Sequence, residues 1–140
     1  MRPSPDDSAA PAVIVYGTVS LNQILLLDPQ GNPHGPLREI PGGEAFDTAT
    51  ALVGWGVPTL LTGTALGSSP ERDHLRLLLN DPLVGLSRRR IPDIPSAVTS
   101  VCAIPISPNG ERVMCGTGYA QATGAFSAFG RSCGVAGVGG

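Results

Sequence analysis

The chain has 140 residues, 41% of them hydrophobic and only 14% charged, with a formal net charge of −2. That length allows one domain with a core, and the near-neutral charge gives no electrostatic reason to expect nucleic acid or a membrane surface as partner. No apolar run approaches the roughly 20 residues of a membrane-spanning helix.

The opening MRPSPDDSAAP has no apolar core of signal-peptide length, so residues 1–11 read as a disordered leader. Ala12 to Tyr16 is a continuous apolar run closed by Gly17, which predicts a strand buried on both faces in a parallel or mixed sheet covered by helices. A turn at Gly17 to Ser20 leads to a second strand-like run, Gln23 to Leu27, which the turn residues Asp28 to Pro33 end. His34 to Ile40 has no clear periodicity.

Glu44 to Val53 carries Ala45, Phe46, Ala49, Leu52 and Val53 at three- and four-residue spacing, which predicts a helix stopped by Gly54 or Gly56. Val57 to Thr62 reads as a strand, with Pro58 near its start. A second helix spans Pro70 to Asn80, with Leu75, Leu78 and Leu79 facing the core. Either a Ser68–Glu71 capping box or Ser69 with Pro70 at the first helical position would start it. The order strand, strand, helix, strand, helix implies a layered α/β domain.

Val98 to Cys115 predicts a β-hairpin turning at Asn109-Gly110. A two-residue turn sets Ile104 opposite Cys115; a three-residue loop with a bulge shifts the register and turns Cys115 to the other face. Tyr119 to Gly140 is rich in Gly, Ala and Ser and reads as a low-complexity tail.

Cys102, Cys115 and Cys133 are widely spaced, and only His34 and His74 accompany them. That pattern favours buried or idle thiols in a reducing cytoplasm over a metal site. His34 lies among turn residues and His74 on a charged helix face, both expected to be solvated. The short run Arg88 to Arg90 reads as a surface feature. A Rossmann-type nucleotide site finds no support, because neither GxGxxG nor GxxxxGK[ST] occurs.

Four blocks in order carry a resemblance: VIVYGTVSLNQILLL, PGGEAFDTATALVGWG, LLTGTALGSSPERDHLRLLL and SAVTSVCAIPISPNGERVM. Together they resemble the N-terminal part of a ribokinase/PfkB-type carbohydrate kinase over residues 12–118. The resemblance implies a truncated ribokinase-like layered sheet with helices and a β-hairpin lid. It implies a substrate site for a sugar or nucleoside. In it Asn22 stands at the family's substrate-binding Asp, Ser20 two positions earlier, Gly42 and Gly43 at the hinge pair beside the sugar, and Asp47 at the signature Asn. Glu44 departs from the lysine that sugar-specific members often carry there.

The complete family transfers a phosphoryl group from ATP with Mg2+, using a Gly-Ala-Gly-Asp segment in its second half. This sequence has no such segment, so the chain alone is expected to be inactive and to bind neither cofactor well. A non-catalytic sugar- or nucleoside-binding module is the alternative. The resemblance also allows a homodimer through the lid hairpin.

Overall fold

A computed structural model describes residues 10–117. The expected leader falls outside this range apart from Ala10 and Pro11, and the expected tail, 119–140, lies outside it entirely.

Two sheets share the chain. The first is parallel, in the order β1 (Val13–Gly17), β4 (Thr59–Gly63), β5 (Arg89–Arg90). Helix α1 (Glu44–Gly54) contacts β1 and β4. The second sheet is mixed, in the order β3 (Arg38–Gly42), β2 (Ser20–Leu26), β6 (Val101–Ile106), β7 (Cys115–Thr117). Helix α2 (Pro70–Leu79) packs against β3 and β2.

The core forms where the layers meet: Val19, Leu21, Ala45, Ala49, Leu61, Leu66, Leu75, Leu79 and Leu86 are buried together. The helix periodicities hold. Ala45 and Ala49 are buried from α1 with Phe46 and Val53 packed beside them; Leu75 and Leu79 are buried from α2, with Leu78 alongside. Gly56, at φ +82°, is the glycine that turns the chain out of α1. The Ser69 hydroxyl caps α2 by accepting the Arg72 N–H at 3.2 Å, with Pro70 at the first helical position. Of the two starts open to the sequence, this one needs no reciprocal glutamate.

Four expectations about the strands change. Strand β1 is not buried on both faces: Val15 packs against the core, while Ile14 stays 47% exposed. Strand β2 starts at Ser20 rather than Gln23, because Ser20 pairs with Gly42 and Leu21 with Pro41 and Val101. The stretch without periodicity ends in a strand, β3, whose exposed edge position removes the need for alternating apolar residues. The basic run is not only a surface feature, since Arg89 and Arg90 align with Leu61 and Thr62 as β5.

The hairpin adopts the three-residue loop. Ala103, not Ile104, lies opposite Cys115, and the Ser107 N–H donates to the Glu111 carbonyl at 2.8 Å. Gly110 closes the loop at φ +85°, the left-handed conformation that a bulged loop demands. Cys115 is therefore exposed while Cys102 is buried. His74 is half-buried rather than freely solvated, with Nδ1 3.3 Å from the Glu39 carboxylate. His34 is exposed, as expected.

Candidate functional site

Residues paired laterally across a sheet point to the same face, and along a strand every second residue does so. Asn22 on β2 is aligned with Cys102 on β6, and Cys102 with Gly116 on β7. Ser20 is two residues before Asn22 and shares its face. This row faces a cleft of about 370 Å³, whose far side is the entry to α1.

The loop between β1 and β2 is held in place from several sides. Thr64 Oγ1 accepts the Val19 N–H and donates to the Val19 carbonyl, both at 3.1 Å. The Thr18 carbonyl accepts the Ala45 N–H at 3.1 Å, which pins the start of α1 against the loop. Gly43 sits at this junction with φ +96°. A Cβ there would stand 2.3 Å from the Thr18 carbonyl oxygen, so backbone packing alone demands glycine. Ahead of β6, Thr99 Oγ1 accepts the Gly67 N–H at 3.1 Å and ties the approach to β6 to the loop between β4 and α2.

The structure brings four of the five expected residues into one cleft. Ser20, Asn22, Gly43 and Asp47 all line it. The Ser20 hydroxyl donates to Asn22 Oδ1 at 2.9 Å, which fixes the carboxamide. Asp47 is in the first turn of α1, where negative charge suits the helix dipole; no side-chain cap bond uses its carboxylate, which is exposed at the cleft.

Gly42 is the exception. It is buried, and it does not line the cleft. A Cβ at Gly42 would fall 2.0 Å from Asn22 Nδ2 and 2.4 Å from Cγ. The residue leaves room for the Asn22 side chain, rather than for a guest. Of the pair, Gly43 alone lines the cleft.

Sequence reasoning missed Thr18, Cys102, Met114 and Gly116, which also line the cleft, and it noted Glu44 only as a departure. Cys102 and Gly116 join it through strand alignment, which no local motif announces. Among the described residues, the lining thus offers two carboxylates (Glu44 and Asp47), two hydroxyls (Thr18 and Ser20), a carboxamide, and no basic side chain. Such a set accepts and donates hydrogen bonds to neutral hydroxyls and repels anions. Among the described residues, no group of three or more His, Cys, Asp or Glu side chains could hold a metal ion. No helix among them is long and apolar enough to cross a membrane.

A scan against protein-family models finds no match, and a search of curated proteins finds none either. Solved structures do match. The microbiome-derived acarbose kinase aligns at a TM-score of 0.64 and 14% identity, covering 79% of this chain and 38% of that one. Ribokinase from Giardia lamblia aligns at 0.61 and 14% identity, covering 77% and 34%. A nucleoside kinase of Burkholderia thailandensis, in complex with inosine, aligns at 0.59 and 18% identity, covering 76% and 35%. The chain spans about a third of the length of these structures, and at such identities the likeness is one of fold. The architecture is ribokinase-like: α/β, with two sheets and helices packed against them.

Proposed function

We propose that the cleft binds a neutral polyhydroxylated small molecule, a sugar or nucleoside, as the substrate-holding part of a carbohydrate kinase. The observation that carries this reading is convergence. Ser20, Asn22, Gly43 and Asp47 come from β2 and the start of α1 and are lined up against one hollow. In this reading Ser20 orients the Asn22 carboxamide, Asp47 accepts a ligand hydroxyl, and Gly43 lets backbone come close. A nucleoside is a reasonable guest, since one structure of the same fold holds inosine.

Transfer of a phosphoryl group requires positioning and charge stabilisation of the transferred phosphate. Among the described residues the cleft has no basic side chain to offset the charge of a triphosphate. ATP and Mg2+ therefore belong, in this proposal, to the complete kinases that the fold resembles, and this chain by itself performs no turnover. Association of two copies through the lid sheet belongs to the same reading, Val113 and Met114 being 62% and 63% exposed beside β7.

Titration calorimetry of the full chain with ribose, fructose and adenosine tests the proposal. Saturable binding of at least one of them, weakened tenfold or more by Asn22→Ala or Asp47→Ala, is the expected result. No heat with any of the three at millimolar concentration would refute it. Consumption of ATP by the chain with a sugar present would refute the inactive part.

A further inference from the structure

The run Arg88 to Arg90 plays no part in the cleft, yet it contributes to a second hollow of opposite sign. This one has a volume of about 300 Å³, lies between α2 and β5, and shares no residue with the cleft. Arg76, Arg89 and Arg90 line it together with Asn80 and one carboxylate, Asp93. Among the described residues that line it, three positive charges stand against one negative, in a chain whose net charge is −2.

The one carboxylate is already shared. Asp93 pairs with Arg76 through one oxygen, and its other oxygen is 3.6 Å from Arg72. The terminal nitrogens of Arg89 donate to the Leu86 carbonyl and to Asn80 Oδ1, both neutral groups. Burial, and then the nearby Arg76 charge, push the Arg89 guanidinium below its ordinary range. Arginine keeps its proton in folded proteins, so the pocket carries a repulsion that a bound anion would relieve. The carbonyl end of α2 opposes an anion weakly, against donors whose charge-assisted bonds to oxyanions are strong and geometrically matched.

We propose that Arg76, Arg89 and Arg90, with the Asn80 amide beside them, form a binding site for a phosphate-type oxyanion, supplied as inorganic phosphate or as the monoester of a small metabolite. The site is independent of the cleft, and its failure would leave the sugar reading intact.

Calorimetry of the full chain against inorganic phosphate, glycerol phosphate and chloride, at matched ionic strength, tests it. Saturable one-to-one binding of phosphate or the ester is expected, with no such signal from chloride. Arg90→Gln, at an exposed position, should weaken that binding at least fivefold while leaving the circular dichroism melt unchanged; Arg76→Gln/Arg90→Gln should abolish it. Tighter binding of glycerol phosphate than of phosphate supports the site with a metabolite as source, and equal binding supports it with the free ion. Phosphate heats no larger than those of chloride, or wild-type affinity in a folded Arg90→Gln protein, would overturn the proposal.

Discussion

Two adjacent glycines, alike in sequence, answer to different neighbours. At Gly42 an added Cβ meets the end of the Asn22 side chain, which can swing away; at Gly43 it meets the fixed carbonyl of Thr18 and a positive φ. Gly43→Ala should therefore cost on the order of 1–3 kcal/mol of stability, read as a lower denaturation midpoint. Gly42→Ala should cost less stability and act instead on ligand affinity, by displacing the carboxamide from its bond to Ser20. A double-mutant cycle with Asn22→Ala makes the mechanism checkable: once the carboxamide is gone, Gly42→Ala should have almost no further effect. Additive losses would show that the two residues do not meet. The sequence could single out the Gly-Gly pair, because both positions need glycine. It could not say which of them faces the cleft, since that depends on β3 pairing with β2, which sets Gly42 opposite Ser20 and against the Asn22 side chain.

The elements follow the local chemistry closely where that chemistry is local. Helices α1 and α2 begin and end near the positions their spacing and caps predict, because the apolar stripe and the capping groups are all within a few residues of each other. Ser69→Ala should cost about 1 kcal/mol in thermal or chemical unfolding, whereas Ser68→Ala should cost little. In the turn after β2, Asp28 Oδ1 accepts the N–H groups of Gln30 and Asn32, at 2.9 and 2.8 Å. These bonds, with the Asn32 backbone contribution largest, hold the Asp28 carboxyl below its ordinary range. A carboxylate depressed in the folded state contributes stability above its unfolded value and loses it as pH falls through the folded one. Hydrogen exchange at Gln30 and Asn32 should accordingly rise in relative terms on acidification through and below the ordinary carboxylate range, and the pH dependence should vanish in Asp28→Asn. Long-range pairing was less legible. The sequence left two hairpin registers open, and only the pairing of Ala103 with Cys115 decides between them. Peptide-mapped thiol labelling offers a direct check, with Cys115 modified rapidly and Cys102, at 2% exposure, protected until unfolding.

Across the whole molecule, function depends on the joining of parts that are distant in the chain. Strands β2 and β6, some eighty residues apart, pair in parallel and set Cys102 beside Asn22; the Thr64 bonds fix the loop before β2 to the end of β4, and the Thr99 bond fixes the approach to β6 to the loop between β4 and α2. The cleft emerges only when the mixed sheet and the start of α1 are assembled, which is why local motifs could name Ser20, Asn22 and Asp47 but not Cys102 and Gly116 on the strands beside them. The same assembly separates charge, with Glu44 and Asp47 at the cleft and Arg76, Arg89 and Arg90 at the hollow beside α2. A neutral polyol should be favoured over its phosphorylated counterpart at the first, and the order reversed at the second.

The most direct measurement is a nitrogen–proton correlation spectrum of the labelled full chain, titrated with ribose and with adenosine. Saturable shifts in the Asn22 side-chain amide and in the backbone amides of Ser20, Gly43 and Asp47, with those of Arg89 and Arg90 unmoved, are the predicted result. Shifts confined to residues outside the cleft, or none with either ligand, would contradict the account.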